Sequence, residues 1–175
     1  GGLTSAIAFQ MQGFEVQLYE SATHFAPVGA GITLAYNAMQ VMRRLGLDQA
    51  LAGSGHRLRK VMICDRHLRP LVANALEEVE QELGVPFIGI PRHALQEALL
   101  SVLPPDNLHL GKTLQRYSTN EAGCVAHFSD GSMAQGDLLV CADGLQSAGR
   151  MQMFPDIQPR YAGQTSWRGM LPTSA

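Results

Sequence analysis

Apolar and polar positions near the start of the chain follow two different periods. After two opening glycines, a good helix-forming pattern runs to Met11, and Gly13 is placed to end it. The next residues, 14–20 (FEVQLYE), alternate apolar and polar side chains and include β-branched and aromatic types, which predicts a strand. Helix, tight turn and strand in this order are typical of the second half of a βαβ unit.

The middle of the chain predicts helices and a hairpin. Asn37 is a plausible N-cap for a helix that Gly46 ends. The apolar face expected for this helix consists of Ala38, Val41, Met42 and Leu45. Residues 60–72 predict a hairpin that turns at 65–67, and the acidic stretch 75–84 predicts either a short amphipathic helix or a loop with a solvated face.

The second half of the chain predicts more strands. A helix is expected to start near Pro91, and 107–110 predicts a short strand. Residues 112–136 alternate around two tight turns and predict a three-strand meander. Residues 137–142 (DLLVCA) are nearly all apolar, which is typical of a parallel strand covered on both faces.

Composition narrows the class of protein. The 175 residues are 46% hydrophobic and 16% charged with a formal net charge of -2, which suits one packed domain, or one domain and part of another. The sequence has no basic stripe of the kind that would indicate nucleic-acid binding. No apolar run has the length of a membrane span, and no metal site is expected. Cys64, Cys124 and Cys141 are expected to be reduced thiols, and a cytoplasmic location is the default expectation.

Two glycines and one acid suggest a dinucleotide site. A helix N-terminus offers N–H groups and partial positive charge to a phosphate. Gly2 fits the third glycine of a GxGxxG fingerprint, and Glu20 lies 18 residues beyond it, where an acid hydrogen-bonds a ribose hydroxyl. An ordinary helix start followed by a surface glutamate explains these residues equally well, so both interpretations stay open.

A second candidate element is the pair Asp143-Gly144. It follows the apolar run 137–142, and ligands of open α/β sheets bind beyond the carboxyl ends of strands. The alternative is a simple turn, which is the expected role of the other such pair, Asp130-Gly131.

Five segments, taken in order, resemble the N-terminal half of the class A flavoprotein monooxygenases, the aromatic-ring hydroxylases related to salicylate and hydroxybenzoate hydroxylases. These segments are 1–20, 28–47, 90–99, 138–150 and 161–169. The resemblance covers essentially the whole chain. It implies an FAD-dependent, NAD(P)H-consuming enzyme that uses O₂ to hydroxylate a small aromatic substrate.

The resemblance also implies a fold. It is an α/β, Rossmann-like three-layer FAD-binding domain with a parallel sheet, helices and a three-strand β-meander, truncated, with the start of a second, β-rich substrate domain. The partial FAD-binding domain is expected at 1–155, with an excursion near 58–90 towards the substrate domain, which begins at 156–175. The family's first strand, its first two fingerprint glycines and its later Gly-Asp motif have no counterpart here. We therefore expect a piece of a longer protein that is a poor or inactive enzyme by itself.

The resemblance assigns cofactor roles to Gly1, Gly2, Glu20, Gly31, Arg92, Asp143 and Gly144. The opening glycines would lie against the FAD pyrophosphate, and Glu20 would hold the adenosine ribose. The loop around Gly31 would lie near the flavin, and Arg92 would approach FAD from the start of its helix. Asp143 and Gly144 would serve both FAD binding and the passage of the nicotinamide cofactor.

Several alternatives remain open at this stage. Without the resemblance, Arg92 is an ordinary surface arginine beside Pro91, and Ser21 departs from the arginine that many relatives carry there. His67, His93 and His109 are expected to be surface residues rather than catalytic bases, and no catalytic residue is identified. A flavin-binding module without turnover and another FAD oxidoreductase are the competing functions, and the oligomeric state is undecided.

Overall fold

The computed structural model describes residues 1–26 and 31–167. Its helices are α1 (Gly2–Met11), α2 (Tyr36–Arg44), α3 (Asp48–Ser54), α4 (Glu77–Leu83), α5 (Arg92–Leu100) and α6 (Ala148–Met153). Its strands are β1 (Leu18–Tyr19), β2 (Gly31–Leu34), β3 (His56–Arg57), β4 (Lys60–Cys64), β5 (Pro70–Ala75), β6 (Ile88–Pro91), β7 (Leu108–His109), β8 (Leu114–Asn120), β9 (Gly123–Phe128) and β10 (Met133–Gly136).

The described residues divide into two compact units. The first contains Gly1–Ala26 and Val102–Trp167, and the second contains residues 31–101. The predicted division into a cofactor domain and a substrate domain near residue 155 concerns function and stays a prediction. Of the segments that carry the family resemblance, residues 28–30 and 168–169 lie outside the described residues.

The first unit opens with α1 and a short parallel strand pair. α1 and the turn at Gly13, which has φ +84°, agree with the predicted helix and its end. β1 pairs in parallel with β7, placing Leu18 opposite Leu108. The predicted strand 14–20 is shortened to two residues because its only partner in the described chain, β7, is itself two residues long.

The predicted three-strand meander is confirmed. β8, β9 and β10 form an antiparallel sheet with β9 in the centre. β9 buries every second side chain, namely Cys124, Ala126 and Phe128. The Tyr19 ring of β1 lies 4.7 Å from the Phe128 ring, so this face of the meander packs against the parallel pair.

The predicted strand 137–142 is not formed. Residues 138–144 have no regular secondary structure, and no strand of the described chain supplies the hydrogen bonds that a buried parallel strand requires. Leu138 and Val140 are consequently 68% and 48% exposed, although the apolar pattern suggested cover on both faces. The helix that follows, α6, was not predicted.

The second unit has a three-stranded antiparallel sheet, ordered β2-β6-β3, packed with α2, α3 and α5. Its core residues are Leu34, Met39, Met42, Leu47, Leu51, Leu76, Val85, Ile88, Ile90 and Leu99. The predicted N-cap Asn37 is wrong, since α2 starts two residues earlier than that cap requires, with Ala35 as its cap. The predicted apolar face is therefore partly wrong: Met39 and Met42 are buried, whereas Val41 is 43% exposed.

The other elements predicted for the second unit are present. The acidic stretch forms α4, which buries none of its own side chains, and a helix starts directly after Pro91. β4 and β5 form the predicted hairpin and pair only with each other among the described strands. Large apolar side chains of this hairpin remain exposed, among them Met62, Ile63, Leu71 and Val72. Within the described chain no helix combines the length and apolarity that crossing a bilayer requires.

Candidate cofactor site

The N-terminus of α1 has no side-chain cap among the described residues. Gly1 occupies the N-cap without a side-chain cap hydrogen bond, and the first turn contains no acidic residue. The N–H groups in the first turn of a helix have no acceptor within the helix, so those of this ten-residue helix can donate to an external acceptor. A Cβ atom built on Gly2 would lie 3.4 Å from Leu18 Cδ1 and 3.7 Å from Ala142 Cβ, so the helix start adjoins both β1 and the residue before Asp143.

Glu20 directly follows β1 and has a fixed main chain. Its N–H donates to His109 O at 2.9 Å, and its carbonyl accepts from Lys112 N at 2.8 Å. Its carboxylate oxygen Oε1 accepts hydrogen bonds from Ser21 Oγ at 3.0 Å and from Ala22 N at 2.9 Å. No hydrogen bond from the described residues reaches Oε2, which leaves one oxygen for a ligand hydroxyl.

Asp143 lies at the start of α6. Its Oδ2 accepts a hydrogen bond from Gly149 N at 3.3 Å. Desolvation raises the pKa of this carboxyl group, but hydrogen bonds from the Ser147 hydroxyl and from main-chain N–H groups, including those of Gly149 and Ala148, outweigh it and hold the pKa below its usual value. The carboxylate is therefore charged at neutral pH and stabilises the first turn of α6, which adds a folding role to the predicted cofactor role.

Three residues of α6 and its cap fix this turn, and the sequence pattern did not identify them. Ser147, only 5% exposed, accepts from Arg150 N at 2.9 Å and caps the helix. The Arg150 guanidinium donates to Ile157 O at 2.6 Å and to Leu145 O at 3.3 Å. The side-chain amide of Gln152 bonds both the N–H and the carbonyl of one β8 residue. A serine at position 147 shortly before the helix-forming run 150–153 is the signal that could have revealed this helix.

Cys141 and Gly149 are in unusually close contact. A Cβ atom on Gly149 would overlap Cys141 Sγ and would lie 2.8 Å from Cys141 Cβ. Burial raises the pKa of the Cys141 thiol, and the negative charge of Asp143 raises it further. Cys141 is thus a neutral thiol at neutral pH. Its contact with Gly149 holds α6 against residues 141–142, and Ala142 in turn lies next to the α1 N-terminus.

His109 is half-buried and takes part in packing. Its ring stacks on Tyr19 with centroids 4.8 Å apart, and its Nε2 lies 2.6 Å from Gln17 Oε1. These contacts join β7 to β1 immediately before Glu20. They give His109 a structural role next to the candidate ribose carboxylate.

The second unit contains Gly31 and Arg92. Gly31 is paired with Pro91 across β2 and β6, so it lies beside the residue that precedes Arg92. Arg92 begins α5 with an exposed side chain, and no ion pair engages it within the described chain. A shallow, largely apolar groove of about 380 Å³ runs along the same ends of β2 and β6 and includes Leu58. The structure thus brings Gly31 and Arg92 together in one unit, and Gly1, Gly2, Glu20, Asp143 and Gly144 together in the other.

Comparison with known proteins identifies relatives along the whole chain. No protein-family model matches it. It is 37% identical over 174 residues to aurachin C monooxygenase/isomerase of Stigmatella aurantiaca, covering 99% of this chain and 45% of the relative. It is 35% identical over 175 residues to 3-amino-4-hydroxybenzoate 2-monooxygenase of Streptomyces cremeus, covering 99% and 44%. It is 32% identical over 173 residues to an FAD-dependent urate hydroxylase of Klebsiella pneumoniae, covering 98% and 45%.

Solved structures have the same fold. Klebsiella pneumoniae HpxO, complexed with FAD and uric acid, superimposes with a TM-score of 0.77 at 29% identity over 87% of this chain and 39% of that one. The 2,6-dihydroxypyridine-3-hydroxylase of Arthrobacter nicotinovorans has a TM-score of 0.73 at 21% identity, over 93% and 39%, which shows a shared fold. These similarities confirm the predicted α/β fold of the FAD-binding monooxygenases.

The chain spans about 45% of the length of the curated relatives that it matches. These relatives share a chemistry, since their names describe monooxygenases or hydroxylases. The predicted resemblance is thereby confirmed: the chain is homologous, over its whole length, to the N-terminal part of the FAD-dependent aromatic monooxygenases.

Proposed function

We propose that this chain forms the FAD-binding part of an NAD(P)H-consuming monooxygenase that uses O₂ to hydroxylate a small aromatic substrate. The activity is proposed for a polypeptide of the relatives' length that contains this sequence, called the full-length enzyme below. One observation carries the proposal most directly. The α1 N-terminus and Glu20 Oε2 occur in the same unit at the spacing of a dinucleotide fingerprint, and no described side chain caps the first or donates to the second.

The residues of the first unit fit the adenosine diphosphate half of FAD. The N–H groups at the start of α1 would donate to the pyrophosphate, and the glycines there leave the backbone accessible. Glu20 Oε2 would accept from a ribose hydroxyl. FAD, when bound, supplies the redox chemistry of such enzymes, while the protein supplies binding and orientation.

Asp143 and Gly144 are proposed as further cofactor residues of the first unit, and Gly31 and Arg92 as cofactor residues of the second. Gly144 has φ +80°, a left-handed conformation that keeps the turn after Asp143 tight. Arg92 is exposed and carries a charge that no described residue pairs, so it is suited to an anionic group of a cofactor. The proposal also includes NADH or NADPH as the nicotinamide cofactor, with Asp143 and Gly144 along its path to the flavin.

The hairpin β4–β5 supports the predicted excursion near 58–90. Two-stranded hairpins are marginally stable in water by themselves. Ile63 and Leu71 are 59% and 66% exposed, so this hairpin has apolar surface left to bury. We propose that it packs against the substrate domain, which would begin at 156–175. A cytoplasmic location stays a prediction.

The ribose assignment is tested with Glu20→Gln in the full-length enzyme freed of flavin. Loss of a charged hydrogen bond is expected to weaken FAD by about 1.5–3 kcal/mol, a roughly ten- to hundredfold higher Kd in a flavin-fluorescence titration. Glu15→Gln is the matched control, because Glu15 is exposed and precedes β1. An unchanged Kd for Glu20→Gln would refute the assignment.

Turnover is tested with the loaded full-length enzyme. NADH and NADPH oxidation is measured with and without small aromatic acids and purines, and products are identified by mass spectrometry. We expect oxidation to rise with one of these compounds and a product heavier by one oxygen atom. Bound flavin without any hydroxylated product would instead indicate a flavin-binding module or another FAD oxidoreductase.

A further inference from the structure

Glu20 is oriented by the two residues that follow it. We propose that Ser21 is a positioning residue, whose hydroxyl turns the Glu20 carboxylate so that Oε2 faces the adenosine ribose of FAD. The inference rests on the proposed function, because it assumes that Glu20 binds this ribose. It assigns a role to a position where the resemblance gave none.

The carboxylate geometry supports this role. Ser21 Oγ at 3.0 Å and Ala22 N at 2.9 Å both donate to the same oxygen, Oε1. The terminal torsion of a glutamate is broad and roughly two-fold, so an unconstrained carboxylate turns freely between orientations. Two donors on one oxygen select a single orientation, and a preorganised acceptor binds more tightly because less freedom is lost on binding.

The main chain at this site is held independently of Ser21. Glu20 N donates to His109 O, and Lys112 N donates to Glu20 O, at 2.9 and 2.8 Å. Gly111 N donates to Ala22 O at 3.0 Å, so residues 109–112 bond the backbone on both sides of Ser21. Removing the Ser21 hydroxyl therefore changes the orientation of the Glu20 carboxylate and leaves the backbone in place.

Residues 109–112, which bond the backbone around Ser21, are themselves fixed to the meander. Lys112 Nζ lies 2.5 Å from Asp130 Oδ2 and 2.8 Å from Ser132 Oγ, in the turn between β9 and β10. These bonds connect the meander to the carbonyl of Glu20 through the main chain of Lys112. Because Ser21 takes no part in them, its substitution tests carboxylate orientation alone.

The test is a double-mutant cycle on FAD binding. Flavin-free full-length enzyme is titrated with FAD for the original protein, Ser21→Ala, Glu20→Ala and the double variant of these two, and unfolding midpoints are recorded for each. We expect Ser21→Ala to raise the Kd about three- to tenfold, as for one lost hydrogen bond, with an unchanged midpoint. In the Glu20→Ala background, where no side-chain oxygen is left to orient, the same substitution is expected to change the Kd less than about twofold, since neighbours that act as a unit are non-additive.

Two further measurements separate positioning from direct contact. Competition with ADP and 2′-deoxy-ADP measures how strongly the ribose 2′-hydroxyl is recognised, and we expect this discrimination to shrink in Ser21→Ala. Ser21→Thr keeps the hydroxyl and should retain the affinity. Ser118→Ala is the control, since Ser118 is exposed on β8 in the same unit.

The outcomes distinguish the inference from the proposed function. Weaker FAD binding in Glu20→Ala with unchanged binding in Ser21→Ala overturns the inference and leaves the proposed function intact. Equal losses from Ser21→Ala in both backgrounds also overturn it, because Ser21 would then act without Glu20. Unchanged binding in Glu20→Ala refutes the ribose assignment itself, and the positioning role with it.

Discussion

Replacing Gly149 by alanine inserts a methyl group where Cys141 already lies. The new Cβ would overlap Cys141 Sγ and approach Cys141 Cβ to 2.8 Å. Carbon atoms normally stay about 3.5 Å or more apart, so the two residues would have to separate by about 0.7 Å even after the thiol rotates away. Gly149 is buried, and α6 is held by Arg150 and Gln152, which limits how far the helix can retreat.

The expected magnitude is a balance of two terms. Overpacking a filled site costs about 1–3 kcal/mol. Alanine gains up to about 1 kcal/mol over glycine in a helix interior, and less at the second position of a helix. The overpacking cost therefore exceeds the gain in helix propensity, and we expect Gly149→Ala to lower the free energy of unfolding by about 1–2 kcal/mol. The displaced turn should also loosen the Gly149 N–H bond to Asp143 and weaken FAD binding.

The assay is urea unfolding of the flavin-free full-length enzyme, together with an FAD titration. Gly53→Ala is the matched control, because Gly53 lies in α3 and a Cβ atom added there would have no other atom within 4 Å, so this substitution should be neutral or stabilising. In a Cys141→Gly background, the cost of Gly149→Ala should disappear. A Gly149→Ala variant as stable as the original protein, or a cost that persists without the Cys141 side chain, would refute the steric argument.

Two further predictions concern the same helix. The pKa of Asp143 is lowered in the folded protein, so its contribution to stability is present above the unfolded value of about 4 and is lost as pH falls through the folded pKa. The urea midpoint of Asp143→Asn should therefore fall less steeply between about pH 5 and 3 than that of the original protein. Equal slopes for the two proteins would contradict this prediction. Gln152 donates to Tyr117 O at 2.6 Å and accepts from Tyr117 N at 2.9 Å. Gln152→Glu loses the donor and places a carboxylate oxygen against the carbonyl, so it should lower the free energy of unfolding by about 1–2 kcal/mol in the same urea assay. An unaltered urea midpoint would contradict this prediction.

Local patterns predicted those elements whose pairing is local. The meander and the hairpin β4–β5 join neighbouring segments through tight turns, so alternation in the sequence was enough. The strand expected at 137–142 depended on partners elsewhere, which an apolar run cannot specify. In α2 the pattern gave the helix but not its buried face, because the choice between Met39 and Val41 is made by packing against other elements.

The candidate site was predictable as far as it follows sequence spacing. The distance from Gly2 to Glu20 predicted that a helix start and a strand end share one unit, and the structure places Gly2 against Leu18 of that strand. The support of Glu20 by residues 109–112 was not predictable, because it joins segments about 90 positions apart through main-chain hydrogen bonds, which any residue type can make.

Asp143 shows why a motif alone leaves a role undecided. An aspartate before a glycine suits a turn, a helix cap or a cofactor contact, and the sequence offered no way to choose. In the structure its carboxylate accepts from Gly149 N, so it stabilises the very helix whose start is the positive end of a dipole. A ligand anion at that end would compete with the carboxylate for the same N–H groups. Asp143 is therefore better suited to hold the turn, with Gly144 at φ +80°, than to contact a phosphate, and its effect on cofactor binding should pass through the geometry of that turn.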